Sequence, residues 1–118
     1  MQRNWELIRK ILIKLEEETD HNGSLDPDDV KGYDHAIVSY HVSLLGQAGL
    51  INMIDASTSM EMYCIAKSMT WEGHEFLDKI RRDTMWNKIK GTLREKGIEL
   101  SIDAIKLAAK TALESMLT

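Results

Sequence analysis

The side chains that could bind a metal ion or act as an acid, a base or a nucleophile are few in this 118-residue sequence. None of them pairs with another at the spacing typical of metal ligands. His74 and Glu75, as neighbours on a helix, would point about 100° apart. The sequence has no glycine-rich phosphate loop and no Gly-x-Ser-x-Gly motif. We therefore expect no catalytic residues, no metal site and no cofactor, and we predict that the protein is not an enzyme. The side chains considered are His21, His35, His41, His74 and Cys64.

Two of these side chains are predicted to be core residues. Cys64 lies in the apolar run "MYCIA", and a single cysteine cannot form an intramolecular disulfide. On a helical wheel, His41 falls near the centre of a broad apolar arc. We expect its ring to be buried, with a nitrogen hydrogen-bonded to the backbone. The arc consists of Ile37, Val38, Val42, Leu44, Leu45 and Ala48.

The first half of the chain is predicted to be helical, with one sharp bend. Apolar residues at three- and four-residue spacing indicate an amphipathic helix over residues 4–19. Asp26 and Pro27 have the types that cap and begin a short helical turn. A longer helix over residues 34–48 is expected to end at Gly49, because glycine adopts the left-handed conformation most readily.

The second half is predicted to begin with a β-hairpin. The segments "LINMIDA" and "MEMYCIAKSM" are apolar and flank the polar tip "STS". Thr70 is expected to cap a helix that runs to about Arg82, and a further helix stops near Gly97. Whether the chain breaks between these two helices is left open. Ser101 is expected to cap a last helix over residues 102–117.

This order of elements is that of a winged helix-turn-helix protein, in which the helix before the hairpin enters the DNA major groove. We predict a mainly α fold with a small β-hairpin. A winged helix-turn-helix core over residues 1–82 is followed by a C-terminal helical extension over residues 83–118. The last helix has an apolar stripe, which either packs on its own domain or pairs with a second copy.

Several sequence segments resemble known families. "YHVSLLGQAGLI" followed by "MTWEGHEFLDKIR" is similar to many bacterial winged-helix regulators, whose wing leads into a pattern matched here by Met69, Thr70, Gly73 and Leu77. Together with "RNWELIRKIL" and "TWEGHEFLDKIRRDTMWNK", these segments resemble an uncharacterised family of small bacterial and prophage proteins. That family is known as a domain of unknown function with a predicted winged helix. The resemblance supports the fold and implies no established activity.

Charge is distributed unevenly along the chain, whose net charge is -4. Residues 15–36 contain eight acids and one base, whereas residues 79–96 contain seven bases and two acids. The overall composition, 43% hydrophobic and 29% charged, is typical of a soluble globular domain. The N-terminus does not read as a signal peptide and no apolar run approaches twenty residues. We therefore expect a cytoplasmic protein without a membrane partner.

Our first hypothesis is a sequence-specific DNA-binding transcriptional regulator of phage or bacterial origin. The predicted polar face of the helix before the hairpin could contact bases, and two lysines could contact phosphates. Charge argues against this role, because no Lys or Arg lies between Asp34 and Ile51 and phosphate contacts supply much of DNA affinity. The candidate base-contacting residues are Ser39, Tyr40, Ser43 and Gln47, and the phosphate-contacting residues are Lys31 and Lys67.

Our second hypothesis is a protein-interaction module that has kept the winged-helix fold and lost DNA binding. Its contact surfaces would be the acidic loop and the basic segment, and its partner a host or phage protein. The candidate partners are therefore double-stranded DNA and another protein. In either case we expect a homodimer, because the last helix offers alanines that allow close helix approach.

Overall fold

A computed structural model of the protein describes residues 1–17 and 24–117. Within these residues the fold is mainly helical, with one antiparallel two-stranded hairpin. Residues 18 and 19 of the predicted first helix lie outside the described part. The elements are α1 (Trp5–Glu17), a 3-10 turn (Pro27–Asp29), α2 (His35–Gln47), β1 (Ile51–Asp55), β2 (Cys64–Met69), α3 (Trp71–Ile80), α4 (Asp83–Glu95) and α5 (Ile102–Leu117). The predicted helices and hairpin are confirmed.

The chain divides into two compact units, residues 1–75 and 76–118, and the boundary falls inside α3. In the first unit, α1 and α2 pack against each other and against the hairpin. The apolar stripe of α1 is fully buried, which is what its three- and four-residue spacing predicts. This stripe comprises Leu7, Ile8, Ile11, Leu12 and Leu15.

Strand β2 also makes a single β-bridge on the side that faces away from β1. Ile51 pairs with Met69 at one end of the ladder and Asp55 with Cys64 at the other. On the other side of β2, Leu25 exchanges two backbone hydrogen bonds with Ala66, at 2.8 and 3.1 Å. The segment between α1 and the 3-10 turn is thereby held to the hairpin. The 3-10 turn itself has the predicted Asp26 cap.

Thr70 joins the end of α2 to the start of α3. Gly49 has a φ of 78°, so the predicted left-handed turn after α2 is confirmed. The Thr70 hydroxyl donates to the Gly49 carbonyl at 2.6 Å and accepts the Gly73 N–H at 3.0 Å, as an N-cap does. A Cβ on Gly73 would collide with the carbonyl oxygen of Leu50. Glycine is therefore needed where α3 begins.

The second unit contains a packed pair of helices, α4 and α5. α4 begins at Asp83, so the chain does break after α3. Its Trp86 is 2% exposed and is buried together with Ile89 and Leu93. The buried positions of α5 are Ile105, Ala108, Ala109 and Ala112. None of the helices in the described part of the chain is long and apolar enough to cross a membrane.

Candidate interaction surface on α2

His41 anchors α2 in the core. The side chain is 1% exposed, and both ring nitrogens have backbone partners. Nε2 accepts the N–H of Asn4 at 2.8 Å, and Nδ1 lies 2.8 Å from the carbonyl oxygen of Ile37. Because the carbonyl can only accept, these two bonds together require the neutral ring with its hydrogen on Nδ1. The predicted structural role of His41 is confirmed.

Ser39, a predicted base-contacting residue, is buried, so its predicted place on the exposed face of α2 is wrong. It is 0% exposed, and its hydroxyl accepts the backbone N–H of Cys64 at 3.2 Å. Strand β2 therefore covers the edge of α2 that the helical wheel assigned to the surface. Burial raises the pKa of the Cys64 thiol, and the predicted burial of that cysteine is confirmed.

The other predicted residues of α2 form a neutral surface strip. Tyr40 and Ser43 are half-buried and Gln47 is exposed. Their spacing of three and four residues places them on the same side of the helix. The Gln47 side-chain amide donates to the Ser43 hydroxyl at 3.3 Å, and the Tyr40 ring meets His41 edge to face at 5.7 Å. We call Tyr40, Ser43 and Gln47 the α2 strip.

The two predicted phosphate-contacting lysines are both exposed. The Lys31 ammonium donates to the carbonyl of Asp28 at 3.1 Å, which holds it beside the 3-10 turn. Lys10 of α1 donates to the Lys31 carbonyl at 2.9 Å, so these two bases lie close together. Lys67 lies on β2, and no contact in the described residues joins it to that pair. The described contacts therefore join Lys10 to Lys31, and Lys10 also lines a surface pocket with Arg9 and Lys14.

A group of acidic and aromatic side chains surrounds the first residue of α2, His35. Its Nδ1 lies 3.0 Å from a carboxylate oxygen of Asp28, and its Nε2 lies 3.1 Å from one of Glu61 in the hairpin loop. The Tyr63 hydroxyl donates to Asp26, and the Tyr63 ring packs edge to face on His35 at 4.9 Å. We call these five residues the His35 bracket, because they join the 3-10 turn to the hairpin loop.

Hydrogen bonds in the bracket raise the pKa of Tyr63 through its bond to Asp26 and also shift the pKa values of His35 and Asp26. The bond to Asp28 raises the pKa of His35 above its ordinary value, and the nearby charges of Asp28, Glu61 and Asp26 act in the same direction. The bond from Tyr63 lowers the pKa of Asp26, helped by the N–H of Asp28. Both shifts favour a protonated histidine among ionised carboxylates.

The donor atoms of Asp26, Asp28 and His35 lie within 4.8 Å of one another, which is compact enough to hold a metal ion. However, these atoms already bond to each other and to their neighbours. Asp28 bonds to His35, while Asp26 accepts from Tyr63 and from the Asp28 N–H. We interpret the group as a hydrogen-bonded connection between two loops rather than a metal centre.

Sequence reasoning did not find the bracket. It identified residues 15–36, which include "DPDD", as acidic, but it assigned no role to His35, Glu61 or Tyr63. The available signal was a histidine a few residues after a run of acids, which is too common to be diagnostic. Its partners Glu61 and Tyr63 follow 26 and 28 residues later, and only the pairing of the strands brings them to it.

Comparison with known proteins shows to which family the chain belongs. The family model described as "Hypothetical protein (DUF2513)" matches residues 2–99. A protein of Haemophilus influenzae, described as "Uncharacterized protein", is 54% identical over 117 residues, which are 99% of this chain and 99% of that protein. No solved structure matches the chain. The chain therefore belongs to the DUF2513 family.

Proposed function

We propose that the protein is an interaction module of winged-helix architecture whose α2 strip binds another protein. The architecture is supported by the order α1, Leu25 bridge, 3-10 turn, α2, β1 and β2, in which three helical elements are followed by an antiparallel hairpin whose β2 also bridges to Leu25. In that arrangement α2 is the helix whose outer face and N-terminal end meet a ligand.

The negative charge around the start of α2 favours a protein partner over DNA. Asp26, Asp28 and Glu61 lie at or next to His35, and Asp34 directly precedes the helix. The helix itself contains no Lys or Arg. A DNA backbone approaching this end would bring phosphates towards carboxylates instead of towards the bases that usually neutralise them. A protein surface with basic side chains would be attracted there.

The composition of the α2 strip also suits a protein partner. Tyrosine is enriched at protein interfaces, because it offers a large contact area and a hydroxyl at a small entropic cost. The Tyr40 ring packs edge to face on the buried ring of His41. Ser43 and Gln47 add neutral hydrogen-bonding groups, which form the kind of polar rim that surrounds such a contact.

A capture experiment tests this proposal. The wild-type protein should retain a defined partner from lysate of its own cells at low salt, and Tyr40→Ala should lose it. Ser39→Ala is the matched control, because Ser39 is buried under β2 at the edge of α2 and its loss should leave capture unchanged. Equal capture by wild type and Tyr40→Ala would contradict the assignment of the partner to the strip.

DNA-binding regulation is the alternative function, and specific observations favour it. The proposed winged-helix topology is commonest in DNA-binding proteins, Ser43 and Gln47 have groups that can hydrogen-bond to base edges, and Lys10 and Lys31 lie together. This alternative expects genomic duplexes to be shifted at low salt, with an affinity that falls steeply as salt is added. The protein-binding proposal expects no shifted band.

A further inference from the structure

The last helix has a line of exposed side chains, with a leucine at each end and two charged residues between, that is directed away from its buried side. Leu107 is 66% exposed and Leu117 is 78% exposed, although leucines of this size are usually buried. Lys110 and Glu114, which are also exposed, lie between them. These four positions are spaced by three, four and three residues, which places them along a single line on the helix, the spacing used by coiled-coil seams. We call them the α5 seam.

The α5 seam lies opposite the side of the helix that packs in its own unit. At about 100° per residue, the seam is centred roughly 170° from the buried positions. Those buried positions are Ile105, Ala108, Ala109 and Ala112. The internal packing of α5 is therefore complete without the seam, and the seam remains available to a partner.

We propose that the α5 seam pairs with the same seam of a second copy in an antiparallel homodimer. With the two-fold axis beside position 112, Leu107 faces Leu117 of the second copy, and Lys110 faces Glu114 of the second copy. Each contact occurs twice, because the symmetry repeats it. Leu113, which is 53% exposed, flanks the seam close to the axis and adds a third apolar side chain from each copy.

The charges of the seam select this orientation and this occupant. A parallel pair would place Lys110 against Lys110 and Glu114 against Glu114, and both contacts would be repulsive. The antiparallel pair converts both into attractions. In a two-fold dimer, the same surface of both copies meets in opposite directions. Such a surface must therefore be complementary to its own reversed copy. One helix face buries less than the roughly 800 Å² that each partner contributes to a standard interface, so the dimer should dissociate on dilution.

Charge reversal in the full-length chain tests the pairing by sedimentation equilibrium over a wide concentration range. Lys110→Glu or Glu114→Lys turns two attractions into two repulsions, so either change should raise the dissociation constant at least about tenfold. The double variant Lys110→Glu/Glu114→Lys restores opposite charges and should return the constant to near the wild-type value.

Charge-reversal variants on α4 serve as matched controls for the seam variants. Lys88→Glu and Glu95→Lys carry the same charge changes at exposed positions off the seam, and they should leave association unchanged. A wild-type protein that stays monomeric at the highest concentrations would overturn the proposal. A dimer that responds to neither seam variant, or that the double variant fails to restore, would overturn it equally. Far-ultraviolet circular dichroism of each variant confirms that the helices are kept.

Discussion

Nε2 of His41 accepts the backbone N–H of Asn4 at 2.8 Å, across 37 residues of sequence. Asn4 is also the cap of α1, since its side-chain oxygen accepts the N–H of Leu7 at 3.1 Å. A single imidazole therefore ties the middle of α2 to the start of α1. This contact fixes the relative position of the two helices on which the α2 strip depends.

Replacing His41 with leucine should destabilise the protein by about 1–3 kcal/mol, because it removes the acceptor of the Asn4 N–H. His74→Leu is the matched control. His74 is 53% exposed, and its substitution should change the free energy of unfolding by no more than about 0.5 kcal/mol. Urea unfolding followed by circular dichroism measures both. Similar losses in the two variants would show that the His41 contact is not structural.

Gly73 and Gly91 should respond to alanine in opposite directions. At Gly73, a Cβ would meet the Leu50 carbonyl and lie 2.6 Å from Cγ of Met69, so Gly73→Ala should cost about 1–3 kcal/mol through overpacking. At Gly91, inside α4, a Cβ meets nothing within 4 Å, and Gly91→Ala should stabilise by about 0.5–1 kcal/mol. Midpoints of thermal unfolding should move down and up respectively, and a shift in the same direction would contradict this difference in packing.

The His35 bracket should make the hairpin loop sensitive to pH. The hydrogen bond to Asp28 raises the pKa of His35 above its ordinary 6.5. A histidine whose pKa is raised by folding stabilises the fold fully below the unfolded value, and this contribution is lost as pH rises through the folded pKa. The bracket should therefore weaken from about pH 6.5 upwards.

Nuclear magnetic resonance titration of the His35 ring tests this directly. The pKa should lie above 6.5 in the wild type and fall in Glu61→Gln, which removes a carboxylate 3.1 Å from Nε2. The control is Glu72→Gln, an exposed acid in the first turn of α3, which should leave the titration unchanged. A wild-type pKa at or below 6.5 would rule out the bracket as drawn.

Ser39 and Ser43, four residues apart on α2, should play different roles. Ser39→Ala leaves the N–H of Cys64 without its acceptor and should cost about 1–2 kcal/mol, because a buried donor loses its hydrogen bond. Ser43→Ala should leave stability within about 0.5 kcal/mol of the wild type and weaken partner binding. Stability and capture measured on the same two variants check this. If Ser39→Ala weakened capture and Ser43→Ala lowered stability instead, the burial of Ser39 would be contradicted.

The elements were predictable because their signals are local. Thr70 and Ser101 cap α3 and α5 through hydrogen bonds to residues only three positions away, and such bonds depend on nearby sequence alone. The burial of His41 followed from the apolar residues on either side of it along the same helix. In each case the residues that decide the structure lie within one or two turns of one another.

The errors and omissions arise where distant segments meet. Ser39 is polar, as surface residues usually are, and it is buried only because β2 packs over it. The His35 bracket requires Glu61 and Tyr63 to be returned to the start of α2 by the hairpin. A helical wheel contains no information about which strand covers which side of a helix. The chemistry of the α2 strip could therefore be read only in part from the sequence.

The most direct test of the central claim is photo-crosslinking from the α2 strip inside cells. A photoreactive phenylalanine analogue replaces Gln47, which is exposed, and in the control replaces Lys88 on α4. If the α2 strip binds a protein, position 47 should give a discrete adduct that protease removes and nuclease does not, and position 88 should give no such adduct. An adduct from position 47 that nuclease removes would contradict the claim and establish this surface as a DNA-binding one.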